Sequence, residues 1–134
     1  MDIRLHKNHF WLLVAPVVVT LLDMVVTLAG QPSSYWAGSY STAVEGAPQG
    51  KWLLTAHPVL FIVGILVWIA LFGAAILVLP RFFSLVLSLA VTMGHSWGAN
   101  TWLADLVGYW ACIALFIVAA ILTVWTWGRS KALG

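Results

Sequence analysis

The chain has 134 residues, of which 63% are hydrophobic and 7% charged, and its six Lys/Arg and four Asp/Glu give a formal net charge of +2. Soluble domains carry about 25% charged and about 45–50% apolar residues. The composition therefore excludes a soluble enzyme, a disordered tail and a nucleic-acid binder, and leaves an integral membrane protein.

The first apolar span is expected over 10–30 and stops at Gly30-Gln31-Pro32-Ser33-Ser34. It follows a basic stretch with Arg4 and Lys7, and Thr27-Leu28-Ala29 weakly resembles a cleavage site. Its apolar run is longer than a secretory core and contains Asp23, so it reads as a retained signal anchor. His6 and His9 read as solvated at headgroup level. The next segment, 31–51, is rich in Ser, Gly, Tyr and Pro and carries Tyr35, Trp36, Tyr40 and Glu45. It reads as an extracytoplasmic loop.

A second span is expected over 52–79. His57-Pro58 lies near its start, and proline disfavours helical geometry in the residue before it. His57 is therefore expected at a helix start or a kink. Pro80-Arg81 makes a tight hairpin into a third span, 82–101, which Gly98-Ala99-Asn100 loosens. Asp105 precedes the fourth span, 106–127, and is expected to cap it. Cys112, the one cysteine, has neither a disulfide nor a zinc-motif partner and reads as a small packing residue.

Spans of about 20 apolar residues cross about 30 Å of hydrocarbon, and helices satisfy their own backbone groups there. The fold class is an all-α integral membrane protein, a single-domain antiparallel bundle of four transmembrane helices. Arg4, Lys7, Arg81, Arg129 and Lys131 fall on one side and only Lys51 on the other. The positive-inside rule places both termini in the cytoplasm, at a prokaryotic inner membrane if the source is bacterial. Trp11, Trp52, Trp102 and Trp127 fall near span ends, as in an aromatic belt.

Ionisable groups at membrane depth cost at least ~2.5–3.5 kcal/mol at a helix centre and need a partner or a purpose. Counting at 1.5 Å per residue puts Asp23 and His95 roughly 20 Å from the cytoplasmic face, and His57 roughly 7–8 Å below the outer one. Three helices thus offer a carboxylate and two imidazoles at one level. Thr20, Asp23 and Thr27 share a face; Ser84, Ser88 and Thr92 form another stripe that leads to His95. Both stripes are expected to face the interior, where small residues also serve plain close packing.

Asp23, His57 and His95, with Glu45 as a fourth ligand or base, make a candidate zinc or iron set. His57 and His95 alone make a candidate axial pair for one haem. Gly94-His95-Ser96-Trp97-Gly98 matches the G-x-S-x-G pattern, which makes Ser96 a candidate nucleophile. That pattern has force on a strand-to-helix elbow, and this chain has no room for the sheet beneath one. Proton or ion movement through the buried Asp and His residues is a fourth reading. Against these stands the plainest reading, a non-enzymatic membrane subunit or assembly partner. It would pack in the lipid bilayer against other membrane subunits or copies of itself, with no nucleic acid involved.

Overall fold

The structure is a computed structural model that describes residues 7–132, with side chains for 9–131. Those residues are helical, without a strand among them. A 3₁₀ segment, Lys7–Leu13, runs into α1, Val14–Ala29. Short helix α2, Ser33–Trp36, a 3₁₀ turn at Tyr40–Thr42 and α3, Pro48–Ala56, form the long connection. Then come α4, Pro58–Val78, α5, Arg81–Leu106, and α6, Tyr109–Ala132. Four stretches are long and apolar enough to cross a membrane: His9–Ala29, Pro58–Val78, Arg81–Leu106 and Tyr109–Lys131. At 1.5 Å per residue, 21 residues reach about 32 Å, close to the hydrocarbon thickness.

Two boundaries differ from the sequence expectation. The second apolar run is not one helix. His57 is extended, with φ −175° and ψ 142°, because Pro58 excludes the helical conformation behind it, and α3 ends there. The membrane-length helix therefore starts at Pro58, six residues later than expected. In the other case the expected break at Gly98-Ala99-Asn100 is continuous helix. The break comes at Gly108, whose φ of +111° suits a residue without a Cβ. The amides of Val107 and Gly108 both return to the Leu103 carbonyl. Asp105 consequently lies exposed in the last turn of α5 and does not cap α6.

Helix α1 touches α4, α5 and α6, whereas α4 and α6 do not meet among the described residues. The centre is thus the α1–α5 pair, with α4 and α6 on its flanks. Close approach is possible because the inward face of α5 is small: Ser84, Ser88, Thr92, Ser96 and Ala99 are all buried. On α1 the buried set is Ala15, Pro16, Val19, Thr20, Val26 and Thr27. Both expected stripes face inward. The hydroxyls of Ser84, Ser88 and Thr92 find backbone carbonyls, as buried hydroxyls must. Ser88 Oγ donates to the Leu12 carbonyl at 2.7 Å, and Ser84 Oγ to those of Ile76 and Leu79.

The Ser84 contacts gather the 3₁₀ segment, the end of α4 and the start of α5 at one end of the bundle. His9 belongs to them. Its Nδ1 lies 3.1 Å from the Ile76 carbonyl and 3.2 Å from Ser84 Oγ, and the side chain is buried. The expectation of a solvated His9 is corrected: its side chain is buried in the bundle. His6 lies outside the described residues.

At the opposite end the polar connection is folded down rather than loose. Gln31 works as a clamp. Its amide nitrogen donates to the carbonyls of Thr27 and Val44, and its oxygen accepts from the Val44 amide. Tyr35 is fully buried with Ala43, Leu54 and Phe61, and its hydroxyl donates to the Leu54 carbonyl at 3.1 Å. Burial, and secondarily the nearby Tyr40, push the Tyr35 phenol above its ordinary value. A raised phenol contributes stability that is complete below the unfolded pKa, about 10, and is lost as pH rises through the folded value. We predict that protease resistance of segment 31–57 falls above about pH 10. Tyr35→Phe should weaken the segment by about 1 kcal/mol at neutral pH. It should also flatten that alkaline loss, and an unchanged profile would contradict the Tyr35 assignment.

Candidate functional site

The ionisable residues Asp23, His57 and His95 resolve into one pair and one histidine apart from it. Asp23 on α1 and His95 on α5 meet at 2.7 Å, Oδ2 to Nδ1, a length typical of a charge-assisted bond. Their side chains are 18% and 19% exposed, at the edge of the α1–α5 seam. The third member is Trp68 on α4, whose indole Nε1–H donates to His95 Nε2 at 3.1 Å. One imidazole therefore joins three helices.

The geometry fixes the histidine's protonation pattern. An indole nitrogen is a donor only, so the His95 Nε2 it meets is an acceptor. The neutral ring then carries its proton on Nδ1 and donates it to the Asp23 carboxylate. A second proton, on Nε2, would set two donors face to face and break the Trp68 bond. Gly98, one turn beyond His95, makes room for the carboxylate: a Cβ there would fall 2.8 Å from Asp23 Oδ2. That close approach, and not backbone freedom, is what this glycine supplies.

His57 stands elsewhere. Its Nδ1 accepts from the Val59 amide and so caps α4, and its ring meets Tyr40 edge-on at a centroid distance of 5.1 Å. Trp68 lies eleven residues further along the chain, roughly 16 Å deeper at helical rise. The level differs from the expected one because α4 begins at Pro58, six residues after Trp52. Glu45 is also occupied apart from the pair: its Oε1 accepts from the amide of Ala47, next to the start of α3. Of the four residues expected to form a zinc or iron set, the structure joins only Asp23 and His95. Among the described residues no three His, Cys, Asp or Glu side chains come together as a metal site requires. A haem is no better served, since both nitrogens of His95 are engaged and His57 lies at a different depth.

Ser96 lies mid-helix in α5, fully buried, and its Oγ has no hydrogen-bond partner. Neighbouring helical side chains point about 100° apart, so His95 turns to Asp23 and Ser96 does not share that direction. The Gly94–Gly98 motif is thus a stretch of helix rather than an elbow. Ser96 lacks the base a nucleophile needs. Thr20 Oγ1 and both amide atoms of Asn100 are likewise buried without a partner.

Trp68 is the residue that sequence reasoning missed. It reads as a lipid or core contact, and one face of it is: the side chain is 44% exposed. The available signal was the buried indole rule, that a tryptophan among apolar residues still seeks an acceptor for its N–H. The chain matches no protein-family model, no curated protein and no solved structure.

Asp23→Ala should strand the His95 donor and cost about 1–3 kcal/mol of stability in bicelles. Trp68→Phe removes a single neutral bond and should cost less. The two should be non-additive by about 0.6–1.7 kcal/mol, because both act on one imidazole. Gly98→Ala should perturb Asp23 as the Asp23 variants do. Strict additivity of Asp23→Ala and Trp68→Phe would contradict the shared-imidazole arrangement.

Proposed function

We propose that this chain is a small multi-pass membrane protein that works as a non-enzymatic subunit or assembly partner. The observation that carries this reading is the closed character of the Asp23–His95–Trp68 group. Each of its hydrogen-bonding nitrogens is used to tie α1, α4 and α5 together. Costly polar groups at membrane depth are retained when they specify an arrangement of helices. Here they hold a scaffold whose outer faces on α4 and α6 remain apolar. Large side chains such as Val63, Leu71, Ile117 and Ile121 point outward there.

In this reading both termini face the cytoplasm. The support is the grouping of Arg81, Arg129 and Lys131 at the end where α5 begins and α6 finishes, with Lys51 on α3 at the other. Photoreactive side chains placed along α4 and α6 in native membranes test the function. A contiguous face should give a stoichiometric adduct with one polypeptide, another subunit or a second copy, and Asp23→Ala should blur it. Lipid adducts alone at every position would overturn the proposal.

A further inference from the structure

The end of the bundle where α5 begins and α6 finishes has a charge problem of its own. Arg81, at the first position of α5, and Lys131, near the end of α6, both lie over the ring of Trp127, at 5.3 and 4.7 Å from its centroid. The two cations are thus within about 10 Å of each other. Neither has an acidic partner among the described residues, where Asp23–His95 is the one ion pair. Cations drawn together on one indole repel, and at a membrane surface an anion shared between them relieves this.

A separate groove lies further along the same two helices, and these residues do not line it. It lies between α5 and α6, encloses about 780 Å³, and is walled by Leu89 and Met93 on one side and Phe116, Ala120 and Val124 on the other. On α6 the register joins both features. Phe116, Ala120, Val124, Trp127 and Lys131 recur at intervals of three or four and share one face. Leu89 lies eight residues beyond Arg81 and Val124 seven before Lys131, so the groove opens about 10–12 Å inward from the cations. That order, two cations, then an indole, then an apolar channel parallel to the helices, follows the order of groups in a phospholipid.

We propose that the α5–α6 seam binds one anionic phospholipid, with its phosphate held by Arg81 and Lys131 beside Trp127 and an acyl chain lying in the groove. Arg129 takes no part. It projects about 200° around α6 from Lys131, toward Trp11 and Trp125. The site selects for negative charge through the cation pair and for lipid over free phosphate through the groove.

The full chain, purified in mild detergent, is to be incubated with equimolar phosphatidylglycerol and phosphatidylcholine and examined by native mass spectrometry. Preferential retention of one phosphatidylglycerol is expected. The double variant R81Q/K131Q should lower that retention by roughly tenfold or more. Ala120→Trp, which fills the groove and keeps the charges, should lower retention of both lipids. R129Q should match the native chain, and glycerol phosphate without acyl chains should not compete. Helical circular dichroism of each variant separates loss of the site from loss of fold. Equal retention of the two lipids, full retention in R81Q/K131Q, competition by glycerol phosphate, or a polypeptide in the groove in place of lipid would each overturn the proposal.

Discussion

One imidazole, bonded on both sides, organises the centre of this bundle. Asp23 sits on an apolar helix long enough to cross a membrane, where a carboxylate needs a donor from within the bundle. His95 provides it, and in doing so commits its other nitrogen to the Trp68 indole. The relative heights of α1, α4 and α5 follow, because the three polar side chains are in register only when those helices are. Close packing does the rest. A face of Ser, Thr and Ala on α5 brings α1 near enough for the 2.7 Å contact, and Gly98 leaves space for the carboxylate.

The two ends of the bundle solve a different problem, that of finishing helices. At one end Ser84, His9 and the Ile76 carbonyl close the tight turn between α4 and α5. At the other, Gln31 and Tyr35 fold a polar connection onto the helices, where it would otherwise be free to slide over the surface. The functional readings divide along the same line. The middle holds shape. The helix faces α4 and α6, and the cationic end with its tryptophans, meet the surroundings.

Much of this was legible in the residues. Four apolar runs, their antiparallel order and the inward stripes of α1 and α5 follow from hydropathy and helical spacing, and so does the expectation that Asp23 and His95 stand at one level. The partner from the second span was not legible. Pro58 does mark a helix start at His57, but depth counted from Trp52 runs through that break as if α3 and α4 were one helix, and so chooses His57. Once α4 starts at Pro58, the position level with His95 is a tryptophan, and tryptophan is apolar in every hydropathy count while still owning one donor. The misreading of Gly98-Ala99-Asn100 has the same root. A glycine placed for close approach looks, in sequence, like a glycine placed for a turn.

The protonation pattern of His95 tests the central claim most directly. Nitrogen-15 NMR of the imidazole in lipid nanodiscs, near neutral pH, reports which ring nitrogen carries the proton. The tie between the three helices requires a protonated Nδ1 and a bare Nε2, with the Nε2 resonance shifted in Trp68→Phe and the Nδ1 resonance shifted in Asp23→Asn. A proton on Nε2, or resonances indifferent to both substitutions, would contradict it.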